Sequence, residues 1–208
     1  MKKIIALACL VITTHISAEE NKFYGGLEAG FGFVDLEAAQ TATTLSSLLG
    51  GQAVTYSEDS GAATGRLFIG YQFDKSMAWE LGYFQTDDAT MSFSTAGGAG
   101  TGSLTANANA YGVDLALVLQ QDGTGLFGKI GGHYSKVETD ASLTFVGVGY
   151  ATSAYAWADE WGTGFLAGAG YDYDLNDDVQ IRGAYSYYDS LGGAEDADMH
   201  LVTIGIKF

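Results

Sequence analysis

Apolar and polar residues alternate with a period of two along several segments of this chain. In the segment LVTIGIKF, the side chains of Val202, Ile204, Ile206 and Phe208 fall on one face, and their neighbours fall on the other. Successive side chains of a β-strand point to opposite faces of the sheet, so this pattern predicts a strand. The same alternation recurs in GRLFIGYQF, MAWELGYF, AYGVDLALVL and DVQIRGAYSY.

Three further segments are predicted to be strands, although glycine and alanine dilute their alternation: Phe23–Val34, Leu126–Val137 and Tyr155–Asp174. The prediction is therefore about eight strands, each close to the roughly ten residues that a tilted membrane-spanning strand needs. After residue 18, no run of consecutive apolar residues is long enough to predict a transmembrane helix.

The predicted connections alternate between short turns and long loops. The short turns are at Asp74–Ser76, Gln120–Gly125 and Asn176–Asp178, and the long loops run near residues 35–60, 92–103, 139–154 and 189–197. This asymmetry is typical of outer-membrane barrels, in which short turns face the periplasm and long loops face outward. For the first long loop, a short helix around Ala38–Leu49 and a mobile tip both remain open.

The composition favours a chain built from paired strands and narrows its partners. The sequence has 30 glycines, 13 tyrosines, 11 phenylalanines and no proline, which cannot donate a hydrogen bond to a β ladder. It carries 25 acidic residues against 9 lysines and arginines, a formal net charge of −16. Nucleic acid is therefore not expected as a partner, because binding it requires a basic patch.

Residues 1–18 are predicted to be a secretory signal peptide, and residues 19–208 the mature domain. The N-terminal segment has two lysines, an apolar core over Ile4–Ile16 and a small residue, Ala18, at the expected cut. The core is too short to span a bilayer as a helix. The one cysteine, Cys9, lies in this segment, so the mature chain is expected to have no disulfide or thiol chemistry.

Charged residues fall on the faces opposite the predicted lipid-facing rows. If the apolar face meets lipid, four cations and four carboxylates point into the barrel: Glu28, Arg66, Glu80, Asp114, Lys129, Asp172, Arg182 and Lys207. The interior of an eight-stranded barrel is filled by side chains, and buried charges must be paired. A soluble sheet with a wet polar face is the alternative, and it predicts an excess of acids on that face.

The segment RLFIGYQFDKSMAWELGYFQ resembles the strand–turn–strand unit of the OmpA-like outer-membrane β-barrel family, with Gly-Tyr-x-Phe before the turn and Glu-Leu-Gly-Tyr after it. The resemblance covers residues 19–208. It implies a closed, antiparallel, eight-stranded transmembrane β-barrel without the peptidoglycan-binding domain that larger members carry. It also implies that the outer-membrane assembly machinery reads the terminal strand as a signal, with Ile204, Ile206 and Phe208 as its residues.

Three segments carry candidate chemistry, and a structural interpretation is favoured for each. His133 and Ser135 resemble the His-x-Ser pair of outer-membrane lipid A deacylases, but the flanking residues of that family are absent, so interior polar residues are expected. Gly123–Lys129 has the spacing of a phosphate-binding loop but lacks its Ser or Thr. The acidic segment Ala194–Asp198 is expected to be a solvated loop rather than a calcium site.

These observations predict a non-enzymatic protein of the cell outer membrane, with no cofactor and no metal. The predicted role is structural or interactive, through extracellular loops that contact lipopolysaccharide, host surfaces or phage. A narrow pore for small or hydrophobic solutes is the alternative, and an enzyme that modifies lipid A is a third hypothesis. The expected partners are outer-membrane lipid and lipopolysaccharide, the outer-membrane assembly machinery, and a host or phage surface ligand.

Overall fold

The described part of the chain is almost entirely β-strand. The computed structural model describes residues 23–34, 38–97, 100–121, 125–147, 150–194 and 197–208, so the predicted signal peptide lies outside the described residues. The elements are β1 (Phe23–Val34), α1 (Ala38–Leu48), β2 (Val54–Asp59), β3 (Gly61–Asp74), β4 (Met77–Thr86), β5 (Ala89–Gly97), β6 (Gly100–Gln120), β7 (Leu126–Gly147), β8 (Tyr150–Asp174), β9 (Gln180–Tyr188), a 3₁₀ turn (Leu191–Gly193) and β10 (Met199–Lys207).

Eight of these strands form an antiparallel ring in the order β1, β3, β4, β6, β7, β8, β9 and β10. The ring is completed where β10 pairs with β1, from Lys207 opposite Gly26 to Met199 opposite Val34. Two backbone hydrogen bonds between Gly25 and Phe208, of 2.8 and 2.9 Å, extend this pairing by one step. The predicted fold class, an all-β antiparallel arrangement of eight ring strands, is confirmed.

The two faces of the ring differ as the alternation predicted. The outward rows carry large apolar side chains that remain exposed on the isolated chain, among them Leu67, Ile69, Leu81, Leu115, Ile130, Val202 and Ile204. Exposed aromatic side chains flank this band at both ends, as expected where a bilayer meets water: Trp79, Tyr171 and Tyr173 at one end, and Tyr83, Tyr134, Trp161 and Tyr185 at the other.

The same ten-stranded sheet continues beyond the ring on one side only, and we call this extension the distal sheet. It consists of β2, β5, residues 100–110 of β6, 137–147 of β7 and 150–160 of β8. The predicted loops over 92–103 and 139–154 are therefore wrong, and the loop over 35–60 is wrong for β2. These segments are rich in Ala, Gly, Ser and Thr on both faces, so backbone pairing holds them in a sheet that has little apolar alternation.

Helix α1 confirms the short helix considered for the first long connection. It packs Ala42 and Leu45 against Phe93 of β5, and Met91 and Leu104 complete this small apolar core on the inner face of the distal sheet. Such a contact supplies the tertiary packing that an eleven-residue helix needs in water. Among the described residues, no helix combines the length and the apolarity required to cross a membrane.

Candidate functional site: the barrel interior and its mouth

Each ring strand contributes one charged side chain to a single layer inside the ring. Every member except Lys207 is at most 4% exposed. In ring order the residues are Glu28, Arg66, Glu80, Asp114, Lys129, Asp172, Arg182 and Lys207. We call this set the interior charge layer. Its four cations and four carboxylates sum to zero, although the whole chain has a net charge of −16.

Arg66 forms the first of two guanidinium centres in the interior charge layer. Its Nε donates to Oδ2 of Asp114 at 2.9 Å, and its Nη2 donates to Oδ1 at 2.7 Å. The hydroxyl of Tyr188 donates to the same carboxylate at 3.1 Å. The remaining nitrogen, Nη1, lies 3.5 Å from carboxylate oxygens of Glu28 and Glu80. Two parallel N–H···O bonds fix the relative position of the strands that carry Arg66 and Asp114.

Arg182 forms the second centre and reaches across the ring. Its Nε and Nη2 donate to the two carboxylate oxygens of Asp172, at 2.7 and 2.9 Å. Its Nη1 donates to Oε1 of Glu80 at 2.6 Å, and Nζ of Lys207 donates to Asp172 at 2.9 Å. The hydroxyl of Tyr24 also donates to Glu80, at 3.0 Å. Glu80 therefore links the two arginine centres.

Both guanidinium groups lie over aromatic rings. The Cζ atom of Arg182 lies 4.4 Å from the ring centroid of Phe127 and 4.8 Å from that of Phe68. The Cζ atom of Arg66 lies 5.1 Å from the Phe68 centroid. These cation–π contacts leave little room for water around the ion pairs. The interior charge layer is thus packed, has no net charge and connects the strands of the ring through ion pairs.

Lys129 differs from the other cations of the interior charge layer. Its side chain is 4% exposed overall. Its Nζ makes no hydrogen bond and no ion pair within 4.0 Å among the described residues. The buried ammonium is therefore held by the general field of the surrounding carboxylates rather than by one direct partner.

An apolar layer closes the ring above the charges, towards the distal sheet. It contains Phe84, Leu166, Tyr188, Leu191, Met199 and Leu201, all at most 1% exposed. Leu191 belongs to the 3₁₀ turn between β9 and β10, which folds into the mouth of the ring. The described residues thus fill the interior with the interior charge layer, this apolar layer and a smaller apolar cluster of Ala78, Val118, Phe127 and Ala184.

His133 and Ser135 lie at this mouth and fix the 3₁₀ turn to β7. The backbone N–H of Gly192 donates to Oγ of Ser135 at 3.0 Å, and this oxygen lies 3.1 Å from Nδ1 of His133. The other ring nitrogen, Nε2, lies 2.7 Å from the backbone carbonyl of Asp189. Ser135 is 0% exposed. A substrate would have to displace the turn to reach the hydroxyl.

The remaining candidate segments show no ligand-binding arrangement in the described residues. Asp198 accepts hydrogen bonds from the hydroxyl of Tyr187 at 2.6 Å and from the N–H of Ser190 at 3.2 Å. Glu195 and Asp196 lie outside the described residues, as do residues 123 and 124 of the Gly123–Lys129 segment. No group of three or more His, Cys, Asp or Glu side chains in the described ranges is placed to hold a metal ion.

One charged group was not predicted from the sequence and lies outside the ring, just beyond the outer aromatic band. Nζ of Lys136 donates to Glu138 at 2.7 Å and lies 2.8 Å from a carboxylate oxygen of Asp159. The hydrogen bonds to Asp159 and then Glu138 hold the pKa of Lys136 above its usual value. The contact between Lys136 and Glu138 could have been predicted, because Lys-x-Glu spacing puts both side chains on the same face of a strand. The contribution of Asp159 depends on the pairing of β7 with β8.

The outward row of β10 carries the residues of the predicted assembly signal. Ile204, Ile206 and Phe208 are 66%, 44% and 49% exposed, which places all three on the face that meets lipid. His200 lies on the same row near the outer aromatic band, and its Nδ1 is 2.6 Å from the hydroxyl of Tyr185. The role of the three residues in assembly stays a prediction.

Comparison with known proteins identifies the family to which this architecture belongs. The sequence profile of the OmpA-like transmembrane domain matches residues 18–208. The chain belongs to this family. It is an outer-membrane β-barrel domain, and its distal sheet lies at the end of the ring opposite the short turns. A comparison with curated protein sequences gives no significant match.

Similar solved structures are small outer-membrane barrels at low sequence identity. Ail, the attachment invasion locus protein of Yersinia pestis, is 13% identical with a TM-score of 0.44, over 90% of this chain and 99% of that chain. OprG of Pseudomonas aeruginosa is 15% identical with a TM-score of 0.46, over 89% and 95% of the two chains. Neisserial surface protein A is 12% identical with a TM-score of 0.42, over 89% and 96%.

Proposed function

We propose that this OmpA-like barrel is a non-enzymatic structural and surface-interaction protein whose distal sheet contacts ligands outside the cell. The observation that carries the proposal is the length of its strands. β6, β7 and β8 have 21, 22 and 25 residues, about twice the roughly ten that cross a bilayer. The additional residues build an ordered surface beyond the membrane, and ordered exposed surfaces are where binding is expected.

The filled interior supports the interpretation that this barrel is closed rather than a pore. The interior charge layer is cross-linked by bidentate ion pairs between Arg66 and Asp114 and between Arg182 and Asp172. The apolar layer that includes Phe84 and Leu191 lies above it. A conducting path would require both layers to rearrange, at the cost of exposing buried charges.

The charge of the distal surface limits which ligands it can attract. Residues 38–60, 87–110 and 137–160 contain eight acidic residues and no lysine or arginine: Glu58, Asp59, Asp87, Asp88, Glu138, Asp140, Asp159 and Glu160. Such a surface repels polyanions and attracts cationic groups. Direct contact with phosphate-rich lipopolysaccharide would need divalent cations between the two negative surfaces. Basic protein ligands fit without such ions.

The proposal is tested with the purified protein in phosphatidylcholine nanodiscs, passed over surfaces coated with polylysine or heparin. We expect retention on polylysine and none on heparin. A variant with four distal carboxylates neutralised, Glu58→Gln, Asp59→Asn, Asp140→Asn and Glu160→Gln, should lose most of the retention. The control variant neutralises four carboxylates at the opposite end of the barrel: Asp74, Asp174, Asp177 and Asp178, each replaced by asparagine. A shift in gel mobility on boiling confirms that both variants fold.

Two results would contradict the proposal. Retention that is the same for the distal variant and for the control variant would remove the distal sheet from the function. A steady single-channel current from the wild-type protein in a planar bilayer would replace surface interaction with transport, because we expect a flat trace from a filled barrel.

A further inference from the structure

The outer half of β8 has an open edge in the described part of the chain. β9 pairs with β8 only between Leu166 and Asp174. The 3₁₀ turn covers the next step of the edge, where Gly193 packs closely on Gly162. Beyond that point, residues 150–160 pair with β7 alone. An unpaired strand edge presents backbone donors and acceptors to which another chain can add.

The direction of these backbone groups follows from the flanking hydrogen bonds. The carbonyl of Phe165 accepts the N–H of Asp189 at 2.9 Å, on the β9 side of β8. The N–H of Asp172 donates to the carbonyl of Gly125 at 2.9 Å, on the β7 side. The β7–β8 register runs without a shift to Tyr150, and the side to which the groups point alternates along a strand.

Odd-numbered residues therefore direct their backbone groups to the open edge. Between the 3₁₀ turn and the hairpin tip these residues are Ala151, Ser153, Tyr155, Trp157 and Asp159. Each offers one N–H and one C=O. This row is as long as many whole strands of globular sheets.

The edge lacks the usual protection against strand addition. Edge strands are commonly guarded by proline, lysine, a bulge or a covering element. Residues 151–159 contain no proline and no lysine, and every second residue from 152 to 158 is alanine or threonine. The hydroxyl of Tyr155 donates to Asp140 on the neighbouring strand, so this side chain lies along the sheet. By contrast, the other edge of the distal sheet is the six-residue β2, beside which α1 packs.

The charges beside the edge select the chemistry of the partner. Asp159 and Glu160 lie on β8, and Glu138 and Asp140 lie on β7 next to it. Lys136 is engaged by Glu138 and Asp159. A second copy of this acidic chain would be repelled. It would also present β8 in the same direction within one membrane, which excludes antiparallel pairing of the two edges.

We propose that the edge Ala151–Asp159 binds an extended, basic polypeptide segment of a partner protein, which adds to the distal sheet as an antiparallel strand. The proposal rests on the proposed function and specifies where and how the ligand binds. Backbone hydrogen bonds supply affinity in this mode, and the acidic side chains supply the preference for basic segments.

The test uses a ten-residue peptide of alternating lysine and valine and the matching peptide of glutamate and valine, titrated against the full chain in phosphatidylcholine nanodiscs. We expect saturable binding of the basic peptide only. Hydrogen exchange should slow at the backbone amides of residues 151–159. Ser153→Pro removes one donor from the open edge and leaves the ladder with β7 intact, so affinity should fall about fivefold to tenfold. Ser153→Ala keeps that N–H and is the matched control.

The outcomes distinguish the binding site at the β8 edge from the broader proposal that the distal sheet contacts ligands. Binding that is unchanged by Ser153→Pro, protection at other amides, or no binding of the basic peptide would overturn the edge site. Slow exchange at the edge without any peptide would also overturn it, since a second copy would then occupy the edge. Retention on polylysine that depends on the four distal carboxylates but not on Ser153→Pro would leave the surface function standing without this site.

Discussion

The guanidinium of Arg66 and the carboxylate of Asp114 join β3 to β6 across the intervening strand β4. The two hydrogen bonds of this pair, 2.9 and 2.7 Å long, pass directly over Gly82. A Cβ atom on Gly82 would lie 2.7 Å from Nε of Arg66 and 2.7 Å from Oδ1 of Asp114. The missing side chain is therefore what allows the pair to form inside so narrow a ring.

Replacing Gly82 by alanine should destabilise the barrel, because the added methyl group forces Arg66 and Asp114 apart. We expect a loss of about 1–3 kcal/mol in the free energy of unfolding, the usual cost of overpacking a filled interior. The measurement is urea unfolding of the protein refolded into phospholipid vesicles. Gly183→Ala is the control, since a Cβ atom on Gly183 would meet no other heavy atom within 4 Å. Equal effects of the two substitutions would disprove this explanation of Gly82.

Removing the charge of Asp114 should cost much more than removing that of Asp159. Asp114→Asn leaves Arg66 buried without its bidentate partner, and breaking a buried pair in this way costs about 3–5 kcal/mol. The side chain of Asp159 is 40% exposed in its pair with Lys136. Asp159→Asn should therefore cost at most about 1 kcal/mol. Unfolding in urea distinguishes the two, and comparable losses would show that the interior pair is not energetically special.

Lys129 is the member of the interior charge layer that tests the effect of removing a charge without a direct partner. Because its ammonium has no direct hydrogen bond or ion pair among the described residues, Lys129→Met removes a desolvation cost along with a diffuse attraction. We expect a change of no more than about 1 kcal/mol in the free energy of unfolding, well below that of Asp114→Asn. A loss as large as that of Asp114→Asn would mean that the layer depends on net neutrality rather than on direct pairs.

The membrane-spanning half of this fold could be predicted from the sequence because one rule governs it. A period of two assigns every residue of a strand to lipid or to the interior, so the eight members of the interior charge layer follow from their register. Which cation meets which carboxylate does not follow. Arg66 meets Asp114 from two strands away in the ring, and this depends on ring order and stagger.

The distal sheet could not be predicted because this alternation of apolar and polar residues is weak there. Outside the patch covered by α1, both of its faces meet water or small residues, so segments such as residues 139–147 lack the contrast on which the alternation rule depends. The ion pair between Lys136 and Asp159 was missed for a different reason. Both residues lie in predicted strands, but the alternation does not give the register in which Glu138 lies opposite Asp159 with Lys136 beside them.

Ser135 should stabilise the 3₁₀ turn that closes the mouth of the ring. Ser135→Ala leaves the N–H of Gly192 and Nδ1 of His133 without their shared partner, which should cost about 1–3 kcal/mol. Hydrogen exchange at residues 191–193 should accelerate more than exchange in β7. Ser142→Ala, on the exposed face of the distal sheet, is the control and should change neither quantity. Unchanged exchange at the turn would show that apolar packing of Leu191 alone holds it.

Phe208 should matter for assembly more than for stability. It is 49% exposed, close to the 45% of Phe73 on β3, so loss of either ring removes similar lipid contact. Of these two phenylalanines, the resemblance to OmpA-like barrels makes only Phe208 part of the assembly signal. In cells, Phe208→Ala should therefore lower the heat-modifiable, membrane-inserted fraction severalfold, whereas Phe73→Ala should not. Both refolded variants should unfold in urea within about 1 kcal/mol of each other, because each loses one aromatic ring from the same lipid face. Equal assembly of the two variants would show that the terminal ring is only another contact with lipid.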